Sequence, residues 1–150
     1  MRTLSLIAAA LLLASCSDND ANPTTLAGTY NASAFTVTPS GQAAINVLSA
    51  GGSLTMTITS DGVVSGSMSL PASVTGGAPL VADMIGVATQ SGTTVTFDQT
   101  ADTFVRDLNW KLSAEGLSVT SQSAGSASYT ITLARMNSCL MSTATLVPGC

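Results

Sequence analysis

Apolar and polar residues alternate along most of the chain after residue 26. The clearest stretch is Leu54-Thr55-Met56-Thr57-Ile58-Thr59, apolar on even positions. A period of two marks a half-buried strand. Ser60-Asp61-Gly62 follows and predicts a hairpin turn. Val64, Met68 and Leu70 carry the apolar face onto the return strand. Upstream, a strand is predicted from Gly28 to Val37, stopped by Pro39-Ser40-Gly41. Ile45 to Thr59 is read as one strand bent at Ala50-Gly51-Gly52. A single helical turn over Ala43 to Leu48 is its rival. Downstream, residues 71–79 are rich in Gly and Pro and predict a loop. A strand over Leu80 to Thr89 then turns at Gln90-Ser91-Gly92 into Thr93 to Asp98. Phe104, Arg106, Leu108, Trp110 and Leu112 share one parity and are read as one strand. Leu117 to Ser121 and a last strand with Tyr129, Ile131, Leu133 and Arg135 complete the pattern.

These are about eight strands, most of them joined by links short enough for antiparallel neighbours. The fold class is therefore all-β, a single antiparallel up-and-down barrel over residues 26–136, with a β-sandwich as the alternative. Closure into a barrel removes the exposed sheet edges. The apolar parity set from Leu54 to Leu133 forms the expected interior, and each large side chain buried there contributes about 1.5–3 kcal/mol.

The first residues follow a different pattern. Arg2 precedes a short, largely apolar run from Leu4, which ends at Leu13-Ala14-Ser15-Cys16. A basic start, a short apolar core and small residues at the end describe a secretory leader, here residues 1–15. The run is too short to span a bilayer core, which needs about 20 apolar residues. Leu13-Ala14-Ser15-Cys16 resembles the lipobox of bacterial lipoproteins. That resemblance implies diacylation of Cys16, cleavage before it, and a protein held in the cell envelope. Two or more acyl chains give firm membrane attachment. Residues 16–25 carry no apolar period and read as a flexible tether. In the sorting rule of proteobacterial lipoproteins an Asp after the Cys retains the protein in the inner membrane. Ser17 holds that place, so the resemblance implies the outer membrane.

Composition narrows the function classes. The chain has no His, four Lys and Arg against eight Asp and Glu, and a net charge of -4. The commonest general base and metal ligand is absent. After the leader the only basic side chains are Arg106, Lys111 and Arg135, too few for a nucleic-acid footprint. The chain is read as neither an enzyme nor a cofactor protein, and no metal site is expected. With Cys16 acylated, Cys139 and Cys150 are an even pair in an oxidising compartment. A disulfide between them would close the tail, residues 137–150, and contribute about 3 kcal/mol. Two free thiols are the alternative.

Gly28-Thr29-Tyr30 opens the first strand and Arg135 ends the last. Together they resemble the lipocalins, which carry Gly-x-Trp and a closing Arg at these places. The resemblance implies that Arg135 packs across the Tyr30 ring at the barrel base. It also implies a small apolar or amphipathic ligand inside the barrel. The candidate contacts are Arg106, Trp110 and Phe104, in the most charged stretch of the chain. On one strand parity Arg106 would point inward at the mouth and bind an anionic group. The competing reading pairs Arg106 with Asp102 or Asp107 as a rim clamp. A second function class is an envelope interaction module with a filled barrel and no small-molecule ligand.

Overall fold

The computed structural model describes residues 25–136. The expectations for the leader, for Cys16 and for the Cys139–Cys150 pair lie outside the described residues.

The chain forms a closed antiparallel barrel, as the alternation predicts. Its strands are β1 (Gly28–Pro39), β2 (Ile45–Asn46), β3 (Ser53–Ile58), β4 (Val63–Leu70), β5 (Leu80–Asp83), β6 (Gly86–Ser91), β7 (Thr94–Gln99), β8 (Trp110–Leu112), β9 (Gly116–Ala124) and β10 (Ala127–Arg135). Eight of them make the ring β1-β3-β4-β6-β7-β8-β9-β10, each pairing with the next. β10 then pairs with β1 from Tyr30↔Arg135 to Pro39↔Ala127, which closes the ring and removes the sandwich alternative. β2 and β5 are short additions along β1 and β4. We call the end where β1 begins and β10 finishes the lower end, and the opposite end the mouth.

Period-two alternation fixes the register. Leu54, Met56 and Ile58 of β3 face inward with Val64 and Met68 of β4, and Ile58 pairs with Val64 across the hairpin. The turn between them is Thr59 to Gly62, closed by the Gly62 N–H donating to the Thr59 carbonyl at 3.0 Å. Gly66 shares that inward parity and lies at φ +144°, in the half of the map that disfavours L side chains. A Cβ there would meet the Thr55 carbonyl oxygen at 2.1 Å, so only glycine fits between these strands.

Four stretches depart from the sequence reading. Ile45 to Thr59 does run along β1, but its bend is a full turn over residues 47–51 rather than a bulge. The Ala50 N–H donates to the Asn46 carbonyl at 3.2 Å, the spacing of one helical turn. Leu80 to Thr89 is broken at Met84-Ile85. Met84 is fully buried and its N–H donates to Gly66 at 3.0 Å, while Ile85 turns outward. The upstream half pairs with the mouth end of β4 and the downstream half with its lower end and with β7. Residues 71–79 hold one helical turn, Ala72–Thr75, whose Val74 caps the core.

The largest correction falls on residues 104–112. Phe104–Asp107 is a 3-10 turn and only Trp110–Leu112 is strand. The shared parity of Phe104, Arg106 and Leu108 was mimicry. Phe104 and Leu108 are four apart, a spacing that a helical turn also brings together. In the turn Val105, of the opposite parity, is the fully buried residue and Arg106 is turned to solvent.

Candidate functional site

The stretch that carries the candidate residues crosses the barrel mouth as a plug. Val105 and Leu108 enter the core, and Trp110 lies fully buried beneath them. The Trp110 indole Nε1–H donates to the Val105 carbonyl at 3.1 Å, tying strand to turn. Its ring meets Phe97 edge-on at 5.8 Å between centroids. Phe104 stacks on Tyr129 of β10 at 4.0 Å and lies 6.0 Å from Phe35 of β1. Aromatic contacts of this kind add about 0.5–1.5 kcal/mol beyond the area they bury. Phe104, Tyr129 and Phe35 form one aromatic cluster that ties the plug to the neighbouring strands β10 and β1.

Polar contacts fasten the plug. The Gln122 amide oxygen accepts from the Asn109 N–H at 2.8 Å, and its Nε2 donates to the Asn109 carbonyl at 2.6 Å. At the start of the plug, Gln99 and Thr103 are buried. The Thr103 hydroxyl donates to the Gln99 amide oxygen at 3.5 Å, and Gln99 Nε2 donates to the Met84 sulfur at 3.7 Å. Met84 therefore occupies the strand break beneath the plug. None of Gln99, Thr103, Gln122 or Val105 was singled out by the sequence, and Tyr129 stood out only as a residue of the last strand. Each matters through a partner remote in the chain or through a turn too short to leave a period.

The three tentative ligand contacts are not brought together. Phe104 sits in the aromatic cluster and Trp110 in the core, but Arg106 lies on the outer surface. Its Nη2 is 2.5 Å from the Asp102 carboxylate and its Nε 3.9 Å from Asp107. This is the geometry of the rim clamp. Asp107 also stands near Tyr129; burial, first, and that negative charge hold the Tyr129 phenol above its usual pKa.

At the lower end Tyr30 and Arg135 are cross-strand partners. The Tyr30 hydroxyl donates to the Leu26 carbonyl at 2.6 Å and accepts from Arg135 Nη2 at 2.8 Å. Arg135 Nη2 also bonds the Thr25 carbonyl, and its guanidinium carbon lies 5.4 Å from the Tyr30 ring centroid. Desolvation raises the Tyr30 pKa, and the Arg135 charge offsets part of that rise. The pair joins β1 to β10 and pins the incoming chain across the base.

Two open hollows lie at the ends of the barrel. One of 340 Å³ is lined by Thr38 to Gln42 and the β9–β10 turn. The other, of 670 Å³ at the lower end, is lined by Thr25 to Ala27, the Thr59–Gly62 turn and Val87 to Gln90. Among the described residues no group of three or more His, Cys, Asp or Glu side chains is placed to hold a metal ion. No known family model, curated protein or solved structure matches this chain.

Proposed function

We propose that this protein is a lipid-anchored interaction module of the bacterial cell envelope, acting through its outer surface. The anchor is the acylated Cys16 that the leader implies, and the barrel is the rigid body it displays. The observation that carries the surface role is the filled interior. Tyr30, Phe35, Leu54, Met56, Ile58, Met68, Met84, Leu108, Trp110, Leu117, Ile131 and Leu133 are all fully buried. An eight-stranded barrel is just wide enough to be filled by its own side chains. Here they run from the base to the mouth, and the plug covers the top.

The carrier reading, in which a small apolar or amphipathic ligand occupies the barrel, requires the plug to swing out with Val105 and Leu108. The part-exposed Phe104–Tyr129 stack is the place where such a ligand would start. Expression in a bacterium with lipoprotein processing separates these readings. We expect the protein in the outer-membrane fraction, with the mass of an acylated chain starting at Cys16. Cys16→Ser should release it to the soluble fraction. Recovery of the unaltered protein in the soluble fraction would contradict the anchor. A tightly held small molecule that survives purification would contradict the surface role.

A further inference from the structure

The exposed large apolar residues of the barrel are not scattered. Val81 is 73% exposed, Ile85 51%, Val87 49% and Val63 48%. Val81, Ile85 and Val87 follow one another at every second or fourth position with the same outward parity. Val63 is the direct cross-strand partner of Val87. They form one strip along the outside of β4, β5 and β6; Asp83 lies on it, and Asp98, the cross-strand partner of Val87, borders it on β7. The opposite wall, β9 and β10, presents Ser118, Thr120 and Thr132 on its outer face.

The strip begins where the chain enters the barrel. Val87 and Thr25 line the same lower hollow. Thr25 stands nine positions after Cys16, 25 minus 16. Nine residues span at most about 30 Å fully extended, so an acylated Cys16 keeps the strip within a barrel's length of the bilayer. Such tethering raises the effective concentration of the strip at the lipid surface, so weak contact suffices to orient the barrel. Val and Ile side chains with few charges suit the boundary of headgroups and acyl chains, where buried apolar area sets the binding strength.

We propose that the β4–β6 strip lies against the membrane surface, turning the barrel on its side and presenting the β9–β10 wall and the charged β7–β8 side away from the lipid. This rests on the anchored reading above.

The test uses the full acylated protein in vesicles of phosphatidylethanolamine and phosphatidylglycerol, with and without acyl-brominated lipid, which quenches tryptophan on contact. Val87→Trp reports the strip, Ile85→Trp repeats the test should the first variant fold poorly, and Thr132→Trp reports the opposite wall. The buried Trp110 supplies the background, read from the unaltered protein. Flotation with the vesicles and the mass of the acylated chain report the anchor separately. The expected result is co-flotation with loss of fluorescence at residues 87 and 85 and none at 132. Co-flotation with equal quenching at all three, or with none, overturns the orientation and leaves the anchor standing. Unquenched probes with a doubled particle mass would assign the strip to a second copy of the chain instead. Absence from the floated fraction would remove the anchor, and this inference with it.

Discussion

Arg106 shows how one side chain is assigned by its local geometry. A strand would have aimed it into the barrel, and a 3-10 turn aims it at Asp102. The pair is exposed, with Arg106 39% and Asp102 87% accessible, and surface pairs of this kind contribute at most about 1 kcal/mol. Arg106→Ala should therefore shift the denaturant midpoint only slightly. A loss as large as that of a core residue would show that Arg106 holds the plug. Trp110 is the opposite case. Trp110→Ala empties the core and breaks the bond to Val105, and removal of a buried Trp costs about 3–5 kcal/mol. Trp110→Phe keeps the contact with Phe97 in kind and loses the indole bond, a smaller effect of about 1 kcal/mol. Chemical unfolding followed by circular dichroism distinguishes the two.

The tyrosines give a pH signature. Tyr30 and Tyr129 both have their pKa raised in the folded state, chiefly by burial. Folding then favours the protonated phenol. Below the unfolded value, near pH 10, both states are protonated and stability does not depend on these groups. As pH rises through that value the unfolded chain gives up its protons first, so stability falls. Tyr30→Phe and Tyr129→Phe should each flatten this alkaline decline. An unchanged slope in the double variant would contradict the burial account.

At the scale of elements, the barrel depends on close strand approach at a few places. Gly116 at the start of β9 lies at φ +148°, and a Cβ there would meet the Leu133 carbonyl oxygen at 1.9 Å. Gly116→Ala forces β9 away from β10 or strains the backbone, and strain of this kind costs about 1–3 kcal/mol. Gly125, in the β9–β10 turn with nothing near its Cβ position, is a control for the backbone effect alone. Thermal melts should place Gly116→Ala below Gly125→Ala; the reverse order would show that the strand contact is soft.

The same scale explains what the sequence made legible. The hairpin from Leu54 to Leu70 was plain, because half-buried strands impose a period of two and Asp61-Gly62 marks the turn between them. The meeting of Tyr30 with Arg135 was legible only through likeness, since nothing local to either residue points to the other. The plug was illegible. Four residues of 3-10 turn are barely more than one helical period, too few for a repeat to show, and Phe104 and Leu108 share the parity of Trp110 and Leu112 by coincidence. The break at Met84-Ile85 was hidden because inward and outward positions keep alternating across it. What ends the pairing is the shift from the mouth end of β4 to its lower end and to β7, a tertiary event.

For the whole molecule, large buried side chains run from base to mouth, and on the reading proposed above the features that matter lie outside the barrel. Apart from Met136, the exposed large apolar side chains lie on the β4–β6 wall, and most of the charges described lie between Asp98 and Glu115. That asymmetry gives the barrel two unlike faces. Whether the interior is closed to ligands can be read from a titration in solution. The protein with Cys16 replaced by Ser, which needs no detergent, is titrated with a fatty-acid probe whose fluorescence rises in apolar surroundings. The account predicts a weak signal that grows without saturating and is unchanged by Phe104→Ala. Saturable binding that Phe104→Ala or Trp110→Phe alters would show that the mouth opens, and would restore the carrier.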